Sequence, residues 1–480
     1  MIEHLFFKRR NIKKLYTRSK KIRRYNTSFF KNHHHSYEDS YNYPPLLLDV
    51  MNKFSKKNFG IDLKNTYLVG VQHFLPSTVH LFDRLIDLGF SPDNMLFTDK
   101  PYSRVDNSFY AIKDLGVQVY SSKEELLVGE YNNSSTDKIH KMWEKCAQDI
   151  KNKKIKKIII LDEGGRCIEQ IPNRFLNEYQ IIGIEQTRGG LYSQELTYRP
   201  FPIIEVASSA VKKYYESPII ADSVVRVVIE NILKKLKDNG EGLQYGIVGN
   251  GSLGLALARH FSSKRKIFGY DRNNTNYPED LRGKLVPLSS AEGVIRNSDC
   301  IFFCTGQDST KGINLFSLIK DKIFISCSSE DKEFRTLLEE ISRQSSRIKL
   351  NRPLEDLTFF TDSKDKIMLA SGGFPINFDR TEKSDPPEIL LTRGLLMGSI
   401  IQAIYTESDT DFSHSNHNGL MLDPHIQQYV LERSAHYFPE AFNRKTSGKY
   451  KDIKWIKDNS GGDCPDLSRE NYSSLNFRID

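Results

Sequence analysis

The chain has 480 residues, of which 38% are hydrophobic and 11% aromatic, enough to fill two or three cores, which excludes an intrinsically disordered protein. Its formal net charge is +8, but residues 1–36 hold eleven Lys/Arg against the single acid Glu3, a balance of +10 that leaves 8 − 10 = −2 on the other 444 residues. The basic character belongs to the N-terminal arm, and a nucleic-acid partner, which would rest on that arm alone, is disfavoured.

The arm, "MIEHLFFKRRNIKKLYTRSKKIRRYNTSFFKNHHHS", has three readings: an organelle-targeting segment, an arm for nucleic acid or a membrane surface, and a solvated mobile extension. The last is favoured, because the apolar run Leu5 to Phe7 is too short for a signal peptide or a membrane span. Residues 1–44 are therefore expected to be a basic disordered arm. The triplet His33 to His35 has no Cys or acid ligand beside it, so no metal site is expected. Cys146, Cys167, Cys300, Cys304, Cys327 and Cys464 form no C-x-x-C pair and no zinc spacing, which points to reduced thiols in a cytoplasmic compartment. No run of 18 apolar residues occurs, so no membrane-spanning helix is expected.

Beyond the arm, strand-like and helix-like segments alternate: "TYLVGVQH", "STVHLFDRLIDLGF", "NMLFTD", a helix near Ser103 to Asp114, "VQVY", a helix near Lys138 to Lys151, "KIIILDEGG" and "QIIGIEQT". Strands separated by helices of ten to fifteen residues imply a parallel, doubly wound sheet. Next comes "YGIVGNGSLGLALARHF", a short apolar strand, a glycine turn and a helical pattern. Gly249, Gly251 and Gly254 fill the G-x-G-x-x-G spacing, and Ser252 and Leu253 open the helix whose N-terminus would face a pyrophosphate. "KIFGYD" reads as the following strand, and Asp271 stands 22 residues after Gly249, where a carboxylate would take the adenosine ribose hydroxyls of NAD and disfavour the 2′-phosphate of NADP. A second alternating set follows in "KLVPL", "CIFFCTG" and "KIFISCSS". After "IMLASGGFPINF", the segment "PPEILLTRGLLMGSIIQAIYT" carries apolar residues at helical spacing and does not fit the second sheet's pattern. The simplest architecture is α/β, with two doubly wound parallel-sheet domains and a Rossmann NAD-binding domain inserted into a substrate domain. Residues 45–210 and 375–440 are assigned to the substrate domain, 211–374 to the inserted domain and 441–480 to a C-terminal tail.

The order of several motifs resembles the S-adenosylhomocysteine hydrolase family from about Tyr67 to about Phe438. "VQHFLPST" is similar to its segment with a catalytic His, "IIILDEGG" to its Leu-Asp-Asp-Gly-Gly motif and "IEQTRGG" to its Glu-Glu-Thr-Thr-Thr-Gly motif. "SSAVKKYYES" is similar to its Ser-Val-Thr-Lys-Ser-Lys-Phe-Asp-Asn segment, and "IMLASGGFPIN" to its Leu-Leu-Ala-Glu-Gly-Arg-Leu-Val-Asn segment. The resemblance implies chemistry in which bound NAD oxidises a ribose 3′-hydroxyl, a 5′ group is eliminated, water adds and the ketone is reduced back. It implies a small nucleoside-like substrate and a homo-oligomer.

Carried over by position, the resemblance implies catalytic roles for Lys212, Glu216, His73 and Glu163, and cofactor contacts from Thr187, Thr305, Gly306 and Asn377 in addition to the glycine loop and Asp271. Glu163 and Glu216 each stand where the family has Asp. Gln186 replaces the second Glu of Glu-Glu-Thr, Ser217 replaces the Asn after the lysine's acid, and Ser329 replaces a His. Leu75 and Ser77 occupy the family's adenine- and ribose-binding Thr-x-Glu, "KSDPPE" lacks the family's Gly-His-Pro histidine, and "SSLNFRID" has no clear counterpart of its C-terminal Lys and Tyr. Two readings follow: an enzyme acting on a nucleoside or related ribosyl compound by transient 3′-oxidation, or a catalytically degenerate NAD-binding homologue with a regulatory or assembly role.

The arm generates a direct test. Residues 1–40 have too few apolar positions to pack on a core, so a truncation starting near Tyr41 should keep its melting temperature within about 2 °C. A larger drop in a thermal melt would show that the arm docks.

Overall fold

The computed structural model describes residues 43–55, 63–121, 131–191, 200–234, 242–262, 265–272, 277–343, 348–349, 354–378, 380, 385–406, 419–443 and 452–462. The basic arm, His33 to His35, Cys464 and "SSLNFRID" lie outside them. Six strands come first: β1 (Thr66–Gln72), β2 (Met95–Asp99), β3 (Gln118–Tyr120), β4 (Lys157–Asp162), β5 (Gln180–Glu185) and β6 (Ile203–Glu205). Eight follow: β7 (Tyr245–Val248), β8 (Ile267–Tyr270), β9 (Leu285–Pro287), β10 (Cys300–Phe303), β11 (Lys322–Ser326), β12 (Ile348–Lys349), β13 (Leu357–Phe360) and β14 (Lys366–Leu369). The last is β15 (Gly419–Met421).

The strands form two sheets, in the orders β15-β6-β5-β4-β1-β2-β3 and β12-β13-β14-β11-β10-β7-β8-β9. Pairings are parallel except at β12–β13 and β13–β14. Each sheet carries six strands in the order 3-2-1-4-5-6 of the Rossmann fold, so each has a crevice where the order reverses, at β1/β4 in one and β7/β10 in the other. The chain leaves the first sheet after β6 and returns to it as β15, which pairs with β6 from Gly419↔Ile203 to Met421↔Glu205. The second sheet is thus an insertion in the first domain.

The central strands are apolar on both faces because helices cover both: β1, β2 and β7 are buried throughout, and β4 and β5 from their second residue on. Helix α1 (Pro76–Leu88) buries Leu81, Phe82, Leu85 and Leu88, one stripe at helical spacing. A long helical stretch, Lys212–Leu233, bridges the sheets. Its first turn, Lys212–Glu216, is a widened π turn ahead of α2 (Ser217–Val227). Pro218 has no N–H for the Tyr214 carbonyl, and that missing bond accounts for the widening. Helix α3 (Ser252–Phe261) follows the glycine turn, and α4 (Leu390–Tyr405) runs beneath the first sheet. The segment Pro387–Tyr405 is long and apolar enough to cross a membrane, but 89% of it is buried inside the fold, where it serves as a core helix.

Several elements depart from the sequence reading. β6, β13 and β15 are short strands that no apolar run announced. The helix expected near Lys138 to Lys151 begins two turns earlier, at Tyr131, and ends at Ile150. Within the segment assigned to a C-terminal tail, Ile453–Asn459 is a helix capped by Asp452, and it docks beside the lysine turn: Ser460 Oγ accepts the Ala210 N–H at 3.0 Å, and Lys213 Nζ donates to the Asn459 carbonyl.

The two domains meet through buried charge. Glu330, in the second domain, is held by Arg166 Nη2 at 2.8 Å and Lys100 Nζ at 3.4 Å, both from the first, and by Lys332 Nζ at 3.6 Å. Its backbone N–H reaches Tyr102 Oη at 3.2 Å, and it adopts φ +66°, unusual for a residue with a side chain. Glu330→Gln removes the charge and leaves Arg166 and Lys100 buried without it, which should cost about 3–5 kcal/mol of unfolding free energy. Denaturant melts measure this, and an unchanged midpoint would show that the cluster does not restrain the domains.

Candidate functional site

Both crevices open on one cavity of about 280 Å³ between the sheets. Its wall includes His73, just past β1, Glu163, just past β4, Thr187 past β5 and Thr305 and Gly306 past β10, together with Lys212, Glu216, Leu253 and Asn377. The four residues proposed for catalysis and five of those proposed for cofactor contact are therefore brought together. The carboxyl ends of parallel strands converge there, and side chains just beyond them face the crevice.

The lysine turn supplies the first pair. Lys212 Nζ stands 2.7 Å from Glu216 Oε1 and 2.5 Å from Oε2, and Thr392 Oγ1 donates to Glu216 Oε1 at 2.6 Å. Thr392 lies on α4, so the returning segment orients the carboxylate that orients the lysine.

The second pair is His73 and Glu163. His73 Nε2 lies 3.4 Å from Glu163 Oε1, Nδ1 lies 2.6 Å from Ser103 Oγ, and the ring stacks on Phe378 at 4.4 Å. Ser103 Oγ donates to the Lys100 carbonyl at 3.0 Å, so it accepts from Nδ1, and we assign the proton of the neutral ring there, which leaves Nε2 as the nitrogen able to take up a proton. Burial pushes His73 below its ordinary value, against the opposing pull of Glu163. Burial alone would raise Glu163, but His73, Lys100 and Lys212 outweigh it and hold the carboxyl at about 2. With the imidazole neutral, Lys100, 3.9 Å from Glu163 Oε1, is the standing positive charge that keeps it ionised.

Glu163, Gln186 and Ser329, three positions where the sequence differs from the motifs it resembles, contact one another. Ser329 Oγ donates to Glu163 Oε1 at 3.2 Å across the domain gap, Gln186 Nε2 donates to Glu163 Oε2, and Gln72 Nε2 donates to Gln186 Oε1 at 3.2 Å. The longer carboxylate is thus fixed by the neutral residues that surround it. Gly164 makes room: its φ is +105°, and a Cβ there would stand 3.0 Å from Lys100 Nζ and 3.3 Å from Glu330 Oε1.

Of the glycine-turn stretch, Leu253, at the start of α3, lines the cavity. Gly249 has φ +97°, and a Cβ would meet the Cys304 carbonyl carbon at 2.7 Å; at Gly254 a Cβ would stand 1.9 Å from the Gly249 oxygen. At Gly251 a Cβ would meet nothing within 4 Å, so that face is left open for a ligand to approach the backbone. The first amides of α3, at Ser252, Leu253 and Gly254, have no intrahelical acceptor, which suits an anionic diphosphate. Gly251 and Ser252 line a separate opening of about 780 Å³. Asp271 follows β8 and accepts the Asn250 N–H at 2.7 Å, bracing the turn.

The remaining proposed contacts are tied into the fold. Thr187 donates through its N–H at 2.7 Å and its hydroxyl at 2.5 Å to Glu185 Oε1; Thr305 Oγ1 donates to Glu333 Oε2 at 2.7 Å and the Gly306 N–H to Glu333 Oε1 at 2.7 Å. Ser217 and Leu75 line the cavity. Sequence reasoning missed Lys100, Arg166, Glu330, Asp385 and Arg393. Lys100 and Arg166 did carry a signal, as charged residues just past the ends of β2 and β4.

No family model matches the chain. Two uncharacterised proteins of Mycobacterium tuberculosis are each 26% identical to it over 363 residues, 75% of this chain and 68% of theirs. Among solved structures, a 2-hydroxyacid dehydrogenase from Ketogulonicigenium vulgare is similar with a TM-score of 0.35 and 11% identity, over 71% of this chain and 96% of that one. A dipicolinate synthase polypeptide of Bacillus halodurans has a TM-score of 0.31 and 11% identity, over 58% and 87%. Scores at this level bear no argument about function.

The glycine geometry predicts a contrast. Gly254→Ala should cost about 1–3 kcal/mol, since its Cβ overlaps a backbone oxygen, while Gly251→Ala should melt within about 0.5 kcal/mol of the parent. Thermal melts of the ligand-free proteins check both, and equal losses would show that the turn is packed differently.

Proposed function

We propose that the protein is a divergent relative of S-adenosylhomocysteine hydrolase that binds NAD and acts on a nucleoside or related ribosyl compound by transient 3′-oxidation. The observation that carries this reading is the convergence of Lys212–Glu216 and His73–Glu163 on one cavity that Leu253, at the start of α3, also lines. Gly251, open to an approaching ligand, and Asp271 beyond it suit a dinucleotide. Bound NAD supplies a reversible hydride acceptor for the 3′-carbon.

The chain's own residues do the rest. Lys212 Nζ passes a proton to Glu216, 2.5 Å away, as it takes the proton of the 3′-hydroxyl. His73 and Glu163 serve the elimination, with the imidazole moving a proton at Nε2 and the ionised carboxylate stabilising the imidazolium that forms. The buried contact between the domains keeps water from the reactive ketone.

Mass spectrometry of the purified protein should find NAD, and Gly251→Ala should lose it without unfolding. Mixing the parent with a panel of nucleosides should raise absorbance at about 340 nm, and Lys212→Ala should abolish the rise. Finding no dinucleotide, and no uptake of NAD at millimolar levels, would overturn the cofactor. Silence across the panel with NAD present would favour the degenerate homologue with a regulatory or assembly role, a reading that Ser329 in place of the family's His supports.

A further inference from the structure

We propose that the cavity selects an oxo-substituted nucleobase, a 6-oxopurine such as hypoxanthine or guanine, through Arg393 and Asp385; the inference rests on the ribosyl reading above. Arg393 lies on α4, is only 3% exposed, and opens on the cavity beside Asp385, Leu75, Pro386 and Ile389. Its Nε donates to Ser77 Oγ at 2.8 Å, and among the described residues no hydrogen bond or ion pair engages its two terminal nitrogens. The same Ser77 hydroxyl donates to Asp385 Oδ1 at 2.9 Å, and the Ser77 N–H donates to Oδ2 at 2.6 Å. A guanidinium and a carboxylate are thus pinned to one hydroxyl at the cavity wall.

A buried guanidinium with uncommitted N–H groups favours a ligand that brings acceptors. Asp385, one hydroxyl away, repels a phosphate or carboxylate, so the better match is a neutral group that offers acceptors to Arg393 and a donor to the carboxylate. A 6-oxopurine has O6 and N7 side by side for the guanidinium fork, with N1–H on the adjoining edge for a carboxylate lone pair. Adenine puts an amino donor where O6 would be, opposing two sets of N–H groups. Leu75, Pro386 and Ile389 add apolar walls for the ring faces. Thr392, the preceding residue, holds Glu216, which sets the base site next to the lysine pair that would act on the ribose.

The test is equilibrium binding of inosine, guanosine and adenosine to the NAD-loaded protein by calorimetry, run beside the absorbance change at about 340 nm. Inosine or guanosine should bind about tenfold or more tighter than adenosine, and Arg393→Gln should bring the ratio to within about twofold. Arg393→Lys, which keeps the buried charge but loses the fork, should also lower the ratio and covers the case in which the Gln variant does not fold. Adenosine binding as tightly as inosine to the parent, an unchanged ratio in both variants, or no binding by any of the three at millimolar concentration would overturn the proposal. A preference for the oxo bases without any absorbance change would support it while removing the oxidation chemistry, so the two failures are distinguishable.

Discussion

A carboxylate buried between two sheets is the constraint around which the site is built. Glu330 survives without water only because Arg166, Lys100 and Lys332 surround it, and that set draws residues from both domains. Burial would lower Lys100, yet Glu330 and Glu163 together raise it, so the ammonium stays charged at the back of the cavity. The same ammonium keeps Glu163 ionised beside an imidazole that burial keeps neutral. The contact that holds the domains together therefore also sets the protonation of the His73–Glu163 pair.

The architecture was legible because its signals are local. Continuous apolar runs between helices announce parallel strands covered on both faces, and the glycine spacing ahead of a helix marks β7 and α3. His73, Glu163, Thr187 and Thr305 were assigned through the motif resemblance, and they meet at one cleft because each stands just past a strand end in sheets whose order switches at the centre. What escaped depends on partners distant in the chain. β15 has three residues, and nothing marks it as a strand until β6 is beside it. Arg393 reads as one charged residue in an apolar helix, and its meaning depends on Ser77, 316 residues away.

Positions where the sequence differs from the motifs it resembles, taken one at a time, look unrelated to one another. Taken together, some are replacements within one contact set. A carboxylate longer by one methylene at Glu163 reaches Ser329, and a Gln at position 186 gives it a neutral donor where a second carboxylate would repel it. A His at 329 would add a bulky, titratable ring at a place where a small hydroxyl now bridges the domain gap. Glu163, Gln186 and Ser329 make sense as one contact set that anchors the carboxylate, which single positions read from sequence cannot reveal.

The same logic links α4 to the lysine turn. Pro218 widens the turn that carries Lys212 and Glu216, and the widened turn needs an outside restraint to hold its carboxylate. Thr392 provides it from α4, a helix buried over nearly its whole surface and therefore fixed in rotation and height. Arg393 follows directly, about 100° further around the helix. Any shift of α4 would move the group that orients Lys212 and the Arg393 guanidinium together. Under the proposed function, chemistry at the ribose and choice of base would be coupled mechanically through one rigid element, and substitutions within α4 would disturb both even where they touch neither.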